Sequence, residues 1–121
     1  MLEKLKESSG NVVGFQMTGK LTDFDYKAME PEFEKTIEKY GKIRLLWHLE
    51  DFHGWEPKAI WDDYEYWRKY GKNMEMVAIV GNKQWEDWMA KLAKLFLKGT
   101  KYFDESQLED AWAWLREGAS K

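Results

Sequence analysis

The sequence predicts a single α/β domain, a five-stranded, mostly parallel sheet with four helices on its two faces. Three observations predict it. The run Ile43-Arg44-Leu45-Leu46-Trp47-His48-Leu49 is apolar on both faces, as a central strand covered on both sides must be. Residues 83–97 place Trp85, Trp88, Met89, Leu92, Ala93 and Phe96 on one helical face, with Lys83, Asp87, Lys91 and Lys94 opposite. Strand-like and helix-like runs also alternate, in the order β-β-α-β-α-β-α-β-α, which implies right-handed crossovers.

In chain order, residues 2–6 read as a short first strand, whose place in the sheet is left open. Ser8-Ser9-Gly10-Asn11 is turn chemistry, because Gly and Asn tolerate positive φ. Val12–Thr18 is a second strand with Val13, Phe15 and Met17 on one face, ended by Gly19. Asp23 is the expected N-cap of a first helix reaching Tyr40, with Gly41 as its stop. Pro31 should kink or shorten that helix. After the central strand, Asp51–Pro57 reads as a loop. Pro57 then opens a second helix to about Tyr70, with Ile60, Tyr64 and Trp67 turned inward. Glu75–Val80 is the next strand, Gly81-Asn82 turns into the helix over 83–97, and Thr100–Phe103 is the last strand. A final helix begins near Asp104 and buries Leu108, Ala111, Trp112 and Leu115.

Composition narrows the function classes. The 121 residues (1–121) make one domain. Cysteine is absent, so there is no disulfide, thiolate metal site or cysteine nucleophile, which fits a reducing cytoplasm. A net charge of −3 lacks the basic footprint of a nucleic-acid binder. No run approaches the ~20 apolar residues of a membrane span. Eight Trp, six Tyr and six Phe are more aromatic rings than so small a core holds comfortably, so some should reach the surface.

The stretches GKIRLLWHLEDFHGW (41–55), MVAIVGNKQWEDWMAKLAKLF (76–96) and TKYFDESQLEDAWAWL (100–115) resemble the SpoIIAA-like family of small bacterial proteins. That family shares its fold with STAS domains and with the lipid-binding lobe of CRAL-TRIO proteins. With STAS strand order, the second and third helices would share one face of the sheet and the first and last the other. STAS antagonists carry a phosphorylated serine in a D-S-S-G-like motif after the central strand. Here Asp51–Pro57 has no hydroxyl-bearing residue, and no Ser or Thr lies between Thr36 and Thr100, so the resemblance does not bring that switch with it. The CRAL-TRIO likeness implies a carrier or sensor of a small apolar, lipid-like molecule.

The expected ligand site lies where Asp51–Pro57 meets the starts of the second and third helices, outside the carboxyl end of the central strand. Phe52, Trp55, Ile60 and Trp85 would form apolar walls, with His53 and Asn82 as polar partners beside two helix N-termini. Exposed aromatics (Phe52, Trp55, Trp61 and Trp114) support the alternative of a protein-interaction module or homodimer. The plainer reading of Trp61 is that it lies over the Arg68 stem. An enzyme using Asp51 and His53 as an acid–base pair ranks third, since no second constellation supports it. His48 reads as a satisfied interior histidine. The lysine face of the 83–97 helix matches a membrane-surface pattern, but a helix covering a sheet shows the same face. No metal or cofactor is expected.

Overall fold

The computed structural model describes residues 2–82 and 99–119. Five strands, β1 (Leu2–Lys4), β2 (Val12–Leu21), β3 (Ile43–Trp55), β4 (Met74–Gly81) and β5 (Thr100–Asp104), form one sheet in sequential order. β1 pairs antiparallel to β2 at one edge, which fixes the position the sequence left open; the other pairings are parallel. The described helices are α1 (Asp23–Tyr40), α2 (Pro57–Tyr70) and α3 (Leu108–Arg116), the last preceded by a 3-10 turn at Glu105–Gln107. The helix expected over 83–97 lies outside the described residues.

The crossovers β2–α1–β3 and β3–α2–β4 step across the sheet in the same direction. Two right-handed crossovers that step the same way lie on the same face. Tyr26, Met29 and Phe33 of α1 and Tyr66 and Tyr70 of α2 accordingly share one core with Phe15, Met17, Leu45, Trp47 and Val77. α3 buries Ala111, Trp112 and Leu115 on the other face against Val12, Leu46, Ala78, Val80 and Phe103. This corrects the expectation that the first and last helices share a face. On the α3 side the Trp112 ring lies so close to Gly14 that a Cβ there would stand 2.4 Å from it. Glycine is required by that approach.

β3 corrects the sequence reading most. Asp51–Trp55 is strand, not loop, and only Glu56 separates it from α2. Pairing with β4 ends at His48, but pairing with β2 continues to Leu21 opposite Trp55. The continuation has register shifts around Gly19, and Asp51 (φ 49°), Gly54 (φ 99°) and Gly19 (φ 65°) take left-handed conformations. These are bulges, in which extra residues on β3 face fewer on β2. One consequence is that Leu49 and Phe52, three apart, both enter the same core. Regular alternation would have sent Phe52 to the opposite face.

Three smaller differences have local causes. Thr22, not Asp23, caps α1: its hydroxyl accepts from the Asp25 N–H while the Asp25 carboxylate accepts from the Thr22 N–H, a reciprocal box. Pro31 lies within α1 without ending it. Both Pro31 and Lys27, whose carbonyl loses its partner, are exposed, so water can serve that carbonyl. Among the described side chains of α2, Tyr66 and Tyr70 are buried and Tyr64, expected inward, is exposed; the side chains of Ile60 and Trp67 lie outside the described residues. Gly41 ends α1 in the left-handed conformation, as expected.

Candidate functional site

α1 and α2 run parallel and are joined along their length by polar contacts. Lys58 Nζ lies 3.3 Å from Asp23 Oδ2, and the Tyr66 hydroxyl donates to the Tyr26 carbonyl. Lys69 Nζ lies 3.3 Å from Glu30 and 3.4 Å from Glu34, and the Tyr70 hydroxyl donates to Glu34 Oε1 at 2.6 Å. Between the helices is a groove of about 240 Å³, walled by Asp23, Lys27, Glu30, Asp62, Glu65 and Lys69 over the rings of Tyr26, Tyr66 and Tyr70. A second cavity, about 230 Å³, lies between α1 and the β1–β2 turn, with Lys4, Glu32, Lys35 and Lys39 at its rim.

The groove holds an unusual pair. Among the described residues no N–H or O–H group donates to the buried Asp62 Oδ2, and its neighbour is the Asp23 carboxyl. Burial, and then the adjacent Asp23 charge, raise the Asp62 pKa. Asp23 moves the other way, to about 2, because it takes the hydrogen bond from Asp62, with Lys27 and Lys58 assisting. Of these two neighbouring carboxyls, Asp62 is therefore the one that takes up a proton more readily and Asp23 the one that holds its charge to lower pH. At the far end the Tyr70 hydroxyl is pushed up to about 12 by burial and then by Glu34, and it holds Glu34 below its usual range. Asp23, Glu30 and Lys69 in the groove each face an opposite charge from the same chain, so the interior of the groove is largely a helix–helix contact.

The outer face of these helices is different. Phe24 on α1 is 78% exposed, and Trp61 and Tyr64 on α2 are 65% and 40% exposed. Trp61 stacks on Tyr64 with ring centroids 5.7 Å apart and planes at 25°, instead of lying over Arg68. Trp61 was legible in sequence because it falls off the inward stripe of its helix. Phe24 was missed, since a lone phenylalanine at a helix start reads as core.

Phe52, His53 and Asn82, the described members of the expected ligand site, line neither of these two cavities, and the other side chains of that site lie outside the described residues. Phe52 is 6% exposed and packs in the core beneath α1 and α2. His53 and Asn82 are exposed. Tyr102 places its hydroxyl against the Gly81 and Asn82 carbonyls, 2.6 Å from the latter. Trp55 lies in β3 and Ile60 in α2, and their side chains, like the whole of Trp85, are outside the described residues. Asp51 and His53 do meet, Nε2 to Oδ1 at 3.4 Å, but their side chains are 85% and 63% exposed, in bulk-like dielectric. Glu50, also exposed, accepts from Gln16. His48 is half-buried at the edge of the α3 side, which corrects its expected interior position. Trp114 is half-buried against Phe103, at 5.8 Å, with Lys101 over its ring. No group of three or more metal-ligating side chains comes together among the described residues. Nor is any described helix long and apolar enough to cross a membrane.

The fold and the α1–α2 face define a small α/β domain with a mixed sheet and an aromatic outer surface. The SpoIIAA-like family model matches residues 12–116, and the chain belongs to the SpoIIAA-like family. It is similar to a crystal structure of an uncharacterised protein of the DUF3478 family, with a SpoIIAA-like fold, from Shewanella loihica. The two are 30% identical, with a TM-score of 0.74 over 94% of this chain and 93% of that one. Among curated proteins none matches.

Proposed function

We propose that this protein is a non-catalytic interaction domain that meets a protein partner with the outer face of α1 and α2. The observation that carries the reading is the exposure of Phe24, Trp61 and Tyr64 together on that face, while most large apolar side chains described are buried. Aromatic rings gathered at a surface mark contact sites, because burying large rings such as Trp and Tyr contributes much of the binding energy at interfaces. Asp23, Glu30 and Lys69, between the two helices, are already paired within the chain, which favours contact over chemistry. The absence of cysteine suits a cytoplasmic setting for such a module.

Carriage of a small apolar molecule near Phe52, His53, Trp55, Ile60, Asn82 and Trp85 is the alternative that the fold family suggests. Its support is the position at the end of the central strand, and the burial of Phe52 in the core weighs against it.

Photo-crosslinking in cells decides between the two. A benzophenone amino acid at Trp61 should give a discrete protein adduct, and the same group at exposed Glu38, near the other end of α1, should not. Absence of a protein adduct at Trp61, with native mass spectrometry showing a retained molecule of a few hundred daltons, would overturn the interaction reading in favour of the carrier.

A further inference from the structure

Resting on that interaction reading, we propose that the partner is a second copy of this chain, paired antiparallel along α2 with the two-fold axis between Tyr64 and Glu65. Trp61, Tyr64 and Arg68 fall at i, i+3 and i+7, which puts them on one stripe of α2. Trp61 is 65% exposed, and Arg68 is exposed with no hydrogen bond or ion pair among the described residues. Glu65, one turn from Trp61, is likewise exposed and unpaired.

A two-fold axis makes an isologous contact: whatever residue i meets, its counterpart meets i. Placing the axis midway between Trp61 and Arg68 sets each guanidinium over the other copy's indole, with that copy's Glu65 beside it. The helix therefore carries both halves of a cation–π contact and of an ion pair, spaced to be used twice. A strongly acidic partner would meet Glu65, and a strongly basic one would meet Arg68. Only a surface with the same alternation satisfies both. Phe24, 78% exposed on the neighbouring helix, widens the face beyond one ridge.

Sedimentation velocity from micromolar to millimolar protein is the test, with thermal unfolding to confirm that each variant folds. The parent should form dimers. Trp61→Ala and Arg68→Glu should each weaken them at least tenfold, a loss of about 1.4 kcal/mol. The double variant Glu65→Arg/Arg68→Glu, which exchanges the two charges in both copies, should recover affinity relative to Arg68→Glu alone. A parent that stays monomeric at millimolar concentration, or dimers indifferent to all three changes, would overturn the proposal. A crosslinked adduct at Trp61 of a mass other than two chains would sink self-pairing while leaving the interaction reading intact. No protein adduct at all would sink both.

Discussion

Arg44 is a charge inside the sheet, 7% exposed, on a strand otherwise read as apolar. Its Nη1 donates to the Leu115 carbonyl at 2.9 Å and the Glu117 carbonyl at 2.6 Å, and its Nη2 meets Glu75 Oε1 at 2.7 Å. One guanidinium thus satisfies carbonyls at the end of α3, where the helix dipole is negative, and pins that helix to β3 and β4. Glu75 keeps a second cation, Lys42, at 3.1 Å. Replacing Arg44 by Met should therefore cost about 3 kcal/mol, the low end for breaking a buried pair, because Glu75 would not be left alone. The Arg44 hydrogen bond holds the Glu75 pKa below its ordinary 4.5. A lowered carboxyl contributes stability that is present above the unfolded value and lost as pH falls through the folded one. Arg44→Met should thus lose less stability on acidification below about pH 4.5 than the parent does. Urea unfolding at neutral and acid pH measures both effects, and equal acid sensitivity in parent and variant would remove the pair from the explanation.

At the scale of elements, the α1–α2 contact has its own pH signature. Asp62, raised, favours the fold at low pH, and that contribution is lost as pH rises from the unfolded value of 3.8 through its folded value. Asp23, lowered to about 2, works oppositely: its contribution is present above 3.8 and lost as pH falls toward about 2. Asn at position 62 keeps a donor toward Asp23 but carries no proton to lose. Asp62→Asn should therefore be more stable than the parent at neutral pH, with the gain shrinking as pH falls toward 3.8. Unfolding free energies across that range check it; a gain that does not change with pH would mean that Asp62 is not the carboxyl that takes up a proton more readily. None of this was legible in sequence, because it depends on which residue of α1 faces Asp62. The helices themselves were legible from Gly41, Pro57 and their spacing, since caps and stops act locally. The end of β3 was not. Asp51 and Gly54 are turn-formers by composition, and they serve here as bulges because β2 continues alongside to pair with them. In α2 the expected inward place of Tyr64 was not legible for a similar reason: Tyr64 and Tyr66 have similar apolar weight, and it is Tyr66 that packs inward with its hydroxyl on the Tyr26 carbonyl.

At the scale of the molecule, two cores lie back to back across one sheet, and the sheet's side chains alternate between them. Leu45 and Trp47 of β3 enter the α1–α2 core and Leu46 the α3 core. Neither helical layer can separate without exposing strands that the other layer also needs, so the domain should unfold as one cooperative unit. Phe33 tests this from one side. It is fully buried and meets Phe15, Tyr66 and Tyr70 edge-on at 6.0, 5.7 and 5.5 Å. Phe33→Ala removes those contacts and leaves a cavity, at a cost of about 3–5 kcal/mol. The faces are coupled through the shared strands, and Arg44 ties β3 to α3. Native-state hydrogen exchange reads the coupling directly, because amides that open only in global unfolding lose protection by the full destabilisation. Amides of α3, on the far side of the sheet from Phe33, should lose as much protection as those of α1. If the α3 amides keep their parent protection while α1 loses its own, the two layers unfold separately and the sheet does not carry stability across.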